Sequence, residues 1–506
     1  MNRILHIPMW LYFQLQSPKR CPPVYDDVYL QPAIVIADRI RNQKLKSVYV
    51  VSMYIDRAKE VNKVLNAIVT ERFKVAMNEA QHADDFVRNS GLNTKELEER
   101  YPLLGVPVSV KECIAVQGMS WGVGSKIRPR IATQDAKAVE MLKASGAIIY
   151  LVTNTPELCM NWECMNYATG RTLNPYDTRR SAGGSSGGEA ALIAACGSLI
   201  GIGSDMIGSG RGPPSFCGVY GHRTSSNLTP IELHSPYIQH HALSLSPITR
   251  YAVDLPLVLK CIVPPEKIEE IKLFEEFDAK TIRVFYMFGS GSNYPTTKVS
   301  SEIVAAMKKV VAHLEDDGFF TENVQLKSFA DQFDIAYINL LSMEGAYEEM
   351  SYKNISLFVE WIRTMFCSPR IVLSILLFEM LYFFSKILGS EEVFERHKIL
   401  LKEMKKEVEE MLGDDGVLLY PTFPSVAPVH GQIYAKTMDP CYMGIFNALD
   451  LTSCVVPIGK NSNGLPIGIQ VVAKQLNDRV PMKLARYLET TYGGWTPPEY
   501  STPHKK

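Results

Sequence analysis

The chain has little of what usually fixes a protein's class at first reading. It has no excess of either charge: Lys and Arg number 53 against 54 Asp and Glu, for a formal net charge of −1. That removes the electrostatic footprint of a nucleic-acid binder, whose basic residues cluster on one face. Ten cysteines fall at irregular intervals, with no C-x-x-C pair and no Cys/His spacing suited to a metal. Several sit inside apolar runs, as buried free thiols do, and this points to a reducing, intracellular compartment. No metal or other cofactor is expected. The chain also lacks internal repeats and low-complexity linkers, so nothing divides it into modules.

Long hydrophobic runs are scarce too, and two stretches come nearest to one. Residues 4–15, ILHIPMWLYFQL, are followed by Lys19 and Arg20 but by no small-residue cleavage site. They fall short of the roughly 20 apolar residues a bilayer span needs, and read as either an interfacial anchor or a packed N-terminal arm. Residues 371–388, IVLSILLFEMLYFFSKIL, are apolar nearly all round, yet Glu379 and Lys386 argue against a true span. A helix apolar on most faces has to be covered, here by the protein core or, as a monotopic cap, by a membrane. The location is accordingly either membrane-associated (endomembrane or lipid droplet) or cytoplasmic.

What is present is an α/β pattern. At 46% apolar residues the chain has ample material for a core. Val48, Val51, Ile55 and Ala58 make one helical stripe, and Phe73, Met77, Ala80 and Val87 make another. Residues 105–110 and 147–153 read as buried strands, the second continuously apolar as in a parallel sheet covered on both faces. The alternation resumes with strands near 281–287, 417–420, 452–457 and 467–473 and helices near 301–314 and 482–489, which argues α/β. One domain is expected over 25–500, preceded by an arm at 1–24 and carrying a variable, partly apolar insert at about 253–405.

The most informative stretch is 183–218. It opens with Gly183-Gly184-Ser185-Ser186-Gly187-Gly188, continues through an apolar segment, and ends in Gly203-Ser204-Asp205-Met206-Ile207-Gly208-Ser209-Gly210-Arg211. Glycine at this density lets the backbone turn tightly and approach a ligand closely. A flexible linker would be polar throughout, whereas residues 190–196 are apolar enough for a core. Two serines, Ser185 and Ser209, are thus held on tight turns, which is how a fold exposes a nucleophile.

This pattern resembles the amidase signature family. The family motif reads roughly G-G-S-S-G-G, a spacer, then D-x-G-G-S-I-R-x-P, and Ser185 and Ser209 stand 24 residues apart as the family has them. A G-x-P-x-x-x-K strand also matches, at Gly105-Val106-Pro107-Val108-Ser109-Val110-Lys111. The resemblance runs over about 25–500, taking in Thr153-Asn154-Thr155-Pro156-Glu157-Leu158-Cys159-Met160 and Leu465-Pro466-Ile467-Gly468-Ile469-Gln470, and is strongest to the fatty-acid amide hydrolases. It implies a single large domain with a central mixed, twisted sheet covered by helices on both faces. It implies a Ser–Ser–Lys triad with Ser209 as nucleophile, Ser185 as bridge and Lys111 as base. The amides of Met206, Ile207, Gly208 and Ser209 then face the oxyanion, Cys159 and Met160 line the substrate site, and Ser186, Asp205 and Arg211 support it. The implied substrate is a fatty-acid amide or N-acylethanolamine, and the implied assembly a homodimer.

The chemistry is consistent with those residue types. Amide hydrolysis needs an activated hydroxyl, a stabilised oxyanion and a proton for the leaving nitrogen. No motif presents a histidine as base, and His234 and the pair His240–His241 read as surface or core residues. A lysine can serve when neutral, and burial favours the neutral amine; Lys111 ends an apolar strand. The departures from the motif are Ile207, where the family has glycine, and Gly210 after the nucleophile. A β-branched residue is strained if its position needs φ > 0, and its side chain otherwise threatens to crowd the carbonyl. Gly210 is expected to loosen the turn. Two alternatives therefore stand beside a lipid amidase: a catalytically weakened paralogue that binds lipid amides, and an amidotransferase-like amidase.

Overall fold

The computed structural model describes residues 12, 15–352, 355–366, 368–388 and 391–499; most of the apolar stretch 4–15 lies outside them. Thirteen strands occur among these residues: β1 (Ile68–Glu71), β2 (Pro107–Lys111), β3 (Ile148–Thr153), β4 (Met165–Asn166), β5 (Gly170–Arg171), β6 (Ile200–Asp205), β7 (Tyr220–Arg223), β8 (Ser244–Thr249), β9 (Arg283–Tyr286), β10 (Thr321–Asn323), β11 (Gly416–Pro421), β12 (Thr452–Lys460) and β13 (Pro466–Ala473). Eleven form one sheet in the order β1-β3-β2-β6-β8-β7-β12-β13-β11-β9-β10, and β4 and β5 pair separately. The sheet is mixed. β3, β2 and β6 run parallel, as do β11, β9 and β10, while the strands between them pair antiparallel.

Every residue of β2, β3, β6, β8, β11 and β13 is buried. Alternate side chains point to opposite faces, so both faces are covered, and the apolar runs read from the sequence follow from that. The helix Ser47–Leu65 buries Val51, Ile55 and Ala58, and Phe73–Asn89 buries Ala76, Ala80 and Val87.

The segment 253–405 is not one insert. It supplies β9, β10 and the helix Ser301–Asp316 to the main architecture, and its last helix, Glu391–Leu412, returns to pack against β11. Within this segment the helix Leu373–Leu388 has two characters. Ile375, Leu376, Phe378 and Glu379 are buried, while Met380, Leu381, Phe383 and Phe384 are exposed, Phe383 at 60%. The side chain of Lys386 lies outside the described residues. No helix among the described residues is long and apolar enough to cross a membrane.

Candidate active site

The site lies at the carboxyl ends of the three neighbouring parallel strands β3, β2 and β6, where ligands gather in open α/β sheets. Lys111 closes β2 and is fully buried. The turn before the helix Gly187–Ala194 brings Ser185 against it, and Lys111 Nζ donates to Ser185 Oγ at 2.7 Å. A second hydroxyl, Ser204 Oγ near the end of β6, accepts from the same Nζ at 3.0 Å. Ser186 sits behind, its Oγ donating to the Ser204 carbonyl at 3.3 Å.

The second Gly/Ser turn is organised by Asp205. Its carboxylate accepts from Gly208 N–H at 2.8 Å, Gly210 N–H at 3.0 Å and Arg211 Nε at 2.9 Å. Burial alone would raise this carboxyl, but the Arg211 guanidinium outweighs it and holds the group well below the ordinary carboxylate range. Both side chains are fully buried. Arg211 also donates to the Met443 carbonyl at 3.1 Å and to Gln470 Oε1 at 3.0 Å, which ties the turn to the helix Cys441–Ala448 and to β13.

This arrangement corrects two expectations. Gly208, with φ +96°, is the residue that takes the left-handed conformation, and Ile207 is not among the residues with positive φ. A β-branched side chain is therefore unstrained there. The Ile207 side chain lines the site's cavity and also meets the helix Cys441–Ala448, which carries glycine at the contact, since a Cβ on Gly444 would lie 2.8 Å from Ile207 Cγ2. Gly210 does not loosen the turn, because its N–H is fixed to Asp205 and any Cβ would lie 2.2 Å from Ser246 Oγ. The amides are also unequal. Gly208 N–H is spent on Asp205, while those of Met206, Ile207 and Ser209 have no partner among the described residues.

A cavity of ≈460 Å³ opens from this polar end. Ser185, Ser204, Met206, Ile207, Ser209, Cys159 and Met160 all line it. Ser186, Asp205, Gly208, Gly210 and Arg211 stand outside the lining, behind the turn. Farther out the wall is apolar, with Leu158, Ile238, Phe333, Leu340, Phe378 and Ile433. Leu158 and Cys159 hold φ of 51° and 60°, an uncommon conformation for such side chains; it turns the chain where Cys159 and Met160 meet the cavity.

Sequence reasoning does not find His234. It lines the cavity, is buried, and stands with Nε2 2.9 Å from Ser204 Oγ. It lies in a loop with no motif or periodicity, so nothing local marks it. His240 and His241 lie outside the cavity lining.

The amidase family model matches residues 49–480. The chain belongs to the amidase family. It is 37% identical over 500 residues to fatty-acid amide hydrolase 2 of Homo sapiens, covering 96% of this chain and 93% of that one. It is 35% identical over 532 residues to fatty-acid amide hydrolase 2-A of Danio rerio, with 99% and 98% covered. A glutamyl-tRNA(Gln) amidotransferase subunit of Leptospira interrogans shares 27% over 499 residues, with 92% and 98% covered. Among solved structures, a fatty acid amide hydrolase matches with TM-score 0.72 at 19% identity over 97% of this chain and 90% of that one, a likeness of fold. Membership of the amidase family together with these relatives makes this chain an amide-hydrolysing enzyme.

Proposed function

We propose that this amidase hydrolyses the amide bond of long-chain fatty acyl amides through Ser209, Ser185 and Lys111. The observation that carries the reading is a cavity that holds Ser185 and Ser209 and whose remaining wall is mostly apolar, with Asn161, Ser374 and Thr437 among its few polar side chains. Ser209 Oγ attacks the acyl carbon and its proton passes to Ser185, whose own proton goes to the neutral amine of Lys111. The unclaimed amides of Ile207 and Ser209 face the developing oxyanion. The proton then returns through Ser185 to the leaving nitrogen, the C–N bond breaks, and the acyl group remains on Ser209. Water repeats the sequence and releases the carboxylic acid.

An acyl chain rather than a polar group suits the wall. Leu381 lines the cavity and is exposed, and the helix Leu357–Met365, which packs beside Leu373–Leu388, leaves Phe358 74% exposed. Apolar surface of this kind beside a cavity mouth suits contact with a lipid surface, from which an amide of low solubility would enter. The amidotransferase-like reading draws on relatives at lower identity, such as the 27% match, and the mostly apolar wall favours the lipid amide over it. The test is labelling by a fluorophosphonate followed by intact mass. One adduct is expected on the wild type, none on Ser209→Ala, and at least about 10³-fold slower labelling on Lys111→Ala. Oleamide should be cleaved in preference to acetamide. Equal labelling of wild type and Ser209→Ala overturns the assignment.

A further inference from the structure

Lys111 has two hydroxyl neighbours and only one of them belongs to the proposed relay. A neutral amine carries two N–H bonds and one lone pair. To accept the Ser185 proton, that lone pair has to face Ser185 Oγ at 2.7 Å. Ser204 Oγ, at 3.0 Å, is a competitor: if its own O–H turned to Nζ it would occupy the lone pair. Something has to hold the Ser204 proton the other way.

His234 stands where it can do so. Its Nδ1 is 2.7 Å from the Pro236 carbonyl, which only accepts, so Nδ1 carries the proton. Burial lowers the imidazole below its ordinary value. The ring is then neutral near pH 7 and Nε2 is a bare acceptor, 2.9 Å from Ser204 Oγ. The other group near that hydroxyl is Cys113 Sγ at 3.5 Å, a weak sulfur acceptor that does not rival an imidazole nitrogen.

We propose that His234 is a positioning residue of this amidase: by accepting the hydrogen bond of the Ser204 O–H it leaves Ser204 only its lone pairs to offer Lys111, and so turns the lysine lone pair toward Ser185. The inference rests on the Ser209–Ser185–Lys111 reading. It gives a loop histidine the part that a buried carboxylate plays for the imidazole of a serine protease, holding one hydrogen-bond direction open for catalysis.

The test is a double-mutant cycle read by the rate of fluorophosphonate labelling at Ser209 and by kcat and KM on oleamide. His234→Leu should slow labelling roughly 10–10²-fold, as misdirected groups do, with KM little changed. His234→Gln, whose Oε1 reaches and accepts like Nε2, should stay within about fivefold of wild type. Ser204→Ala removes the competing hydroxyl, so the double variant Ser204→Ala/His234→Leu should run at the rate of Ser204→Ala alone and faster than His234→Leu. A purely structural role would make the double variant at least as slow as His234→Leu, and that result overturns the proposal. So does wild-type labelling by His234→Leu, or a His234→Gln no faster than His234→Leu. If His234→Leu does not fold, His234→Asn, too short to reach Ser204, takes its place against His234→Gln. Labelling of Ser209→Ala would separate the cases: the triad reading itself then fails, and the His234 proposal with it.

Discussion

The two ends of the cavity are built differently. At the polar end Lys111, Ser185, Ser204, Asp205 and Arg211 are buried, hang from strand ends or tight turns, and each makes two or more hydrogen bonds or sits directly against a partner that does. At the outer end the helices Leu357–Met365 and Leu373–Leu388 and the residue after the first present Phe358, Phe366, Leu381 and Phe383 to the outside, and the ion pairs there gather on one carboxylate, Glu360, which meets Arg363 and Arg370. The chemistry needs groups held to fractions of an ångström, which a sheet with both faces covered supplies. An acyl chain needs only a wall of the right polarity. On the proposed reading, precision is concentrated where protons move, and the remaining surface is free to meet a lipid phase.

The contrast is most easily broken at the polar end. Gly210→Ile should destabilise the fold by about 3 kcal/mol by overpacking, since its Cβ would lie 2.2 Å from Ser246 Oγ. Ser246→Gly in the same chain should restore part of that, as read by denaturant midpoints. Unchanged midpoints would falsify the rigid description of this turn.

The same end should carry a pH-dependent cost. Glu189 is fully buried, its carboxyl accepts from Ser109 Oγ at 2.6 Å and Thr153 Oγ1 at 2.8 Å, and burial pushes it up from 4.5 to about 8. The folded protein therefore holds this proton more tightly than the unfolded chain. Stability from the group is complete below about 4.5 and is lost as pH rises toward about 8, by at most about 1.4 kcal/mol per pH unit. Glu189→Gln should remove that slope from stability measured between about pH 5 and 8; parallel curves for the two proteins would refute it.

The outer end should respond in the opposite manner. The double variant Leu381→Ser/Phe383→Ser is expected to lower kcat/KM on vesicle-borne oleamide about tenfold through lost apolar contact, with thermal stability and hydrolysis of a water-soluble short amide unchanged. A matching loss on both substrates would mean that the patch serves packing and not access.

The smallest effect is expected at the junction of the two ends. Ile207 is unstrained and accommodated by Gly444, so Ile207→Gly should leave kcat within about threefold of wild type. A tenfold gain would show that the side chain does crowd the carbonyl.

Much of this enzyme is legible in its sequence because the signals are local. The apolar runs at 147–153 and 467–473 mark buried strands, since a strand covered on both faces has no polar positions to alternate. The Gly/Ser turns mark Ser185 and Ser209, because only small residues tolerate such backbones. Tertiary structure decided what depends on residues distant in the chain. Ile207 looks like a defect until Gly444 is seen beside it, and Gly210 looks slack until Ser246 fills the space of its missing side chain. The 371–388 stretch has one composition throughout, and only its packing divides it into a buried half and an exposed half. His234 carries no signal of its own. It becomes part of the site because β6 carries Ser204 alongside Lys111 and the loop before β8 folds over both, and hydrogen-bond direction is a property of that meeting rather than of any segment.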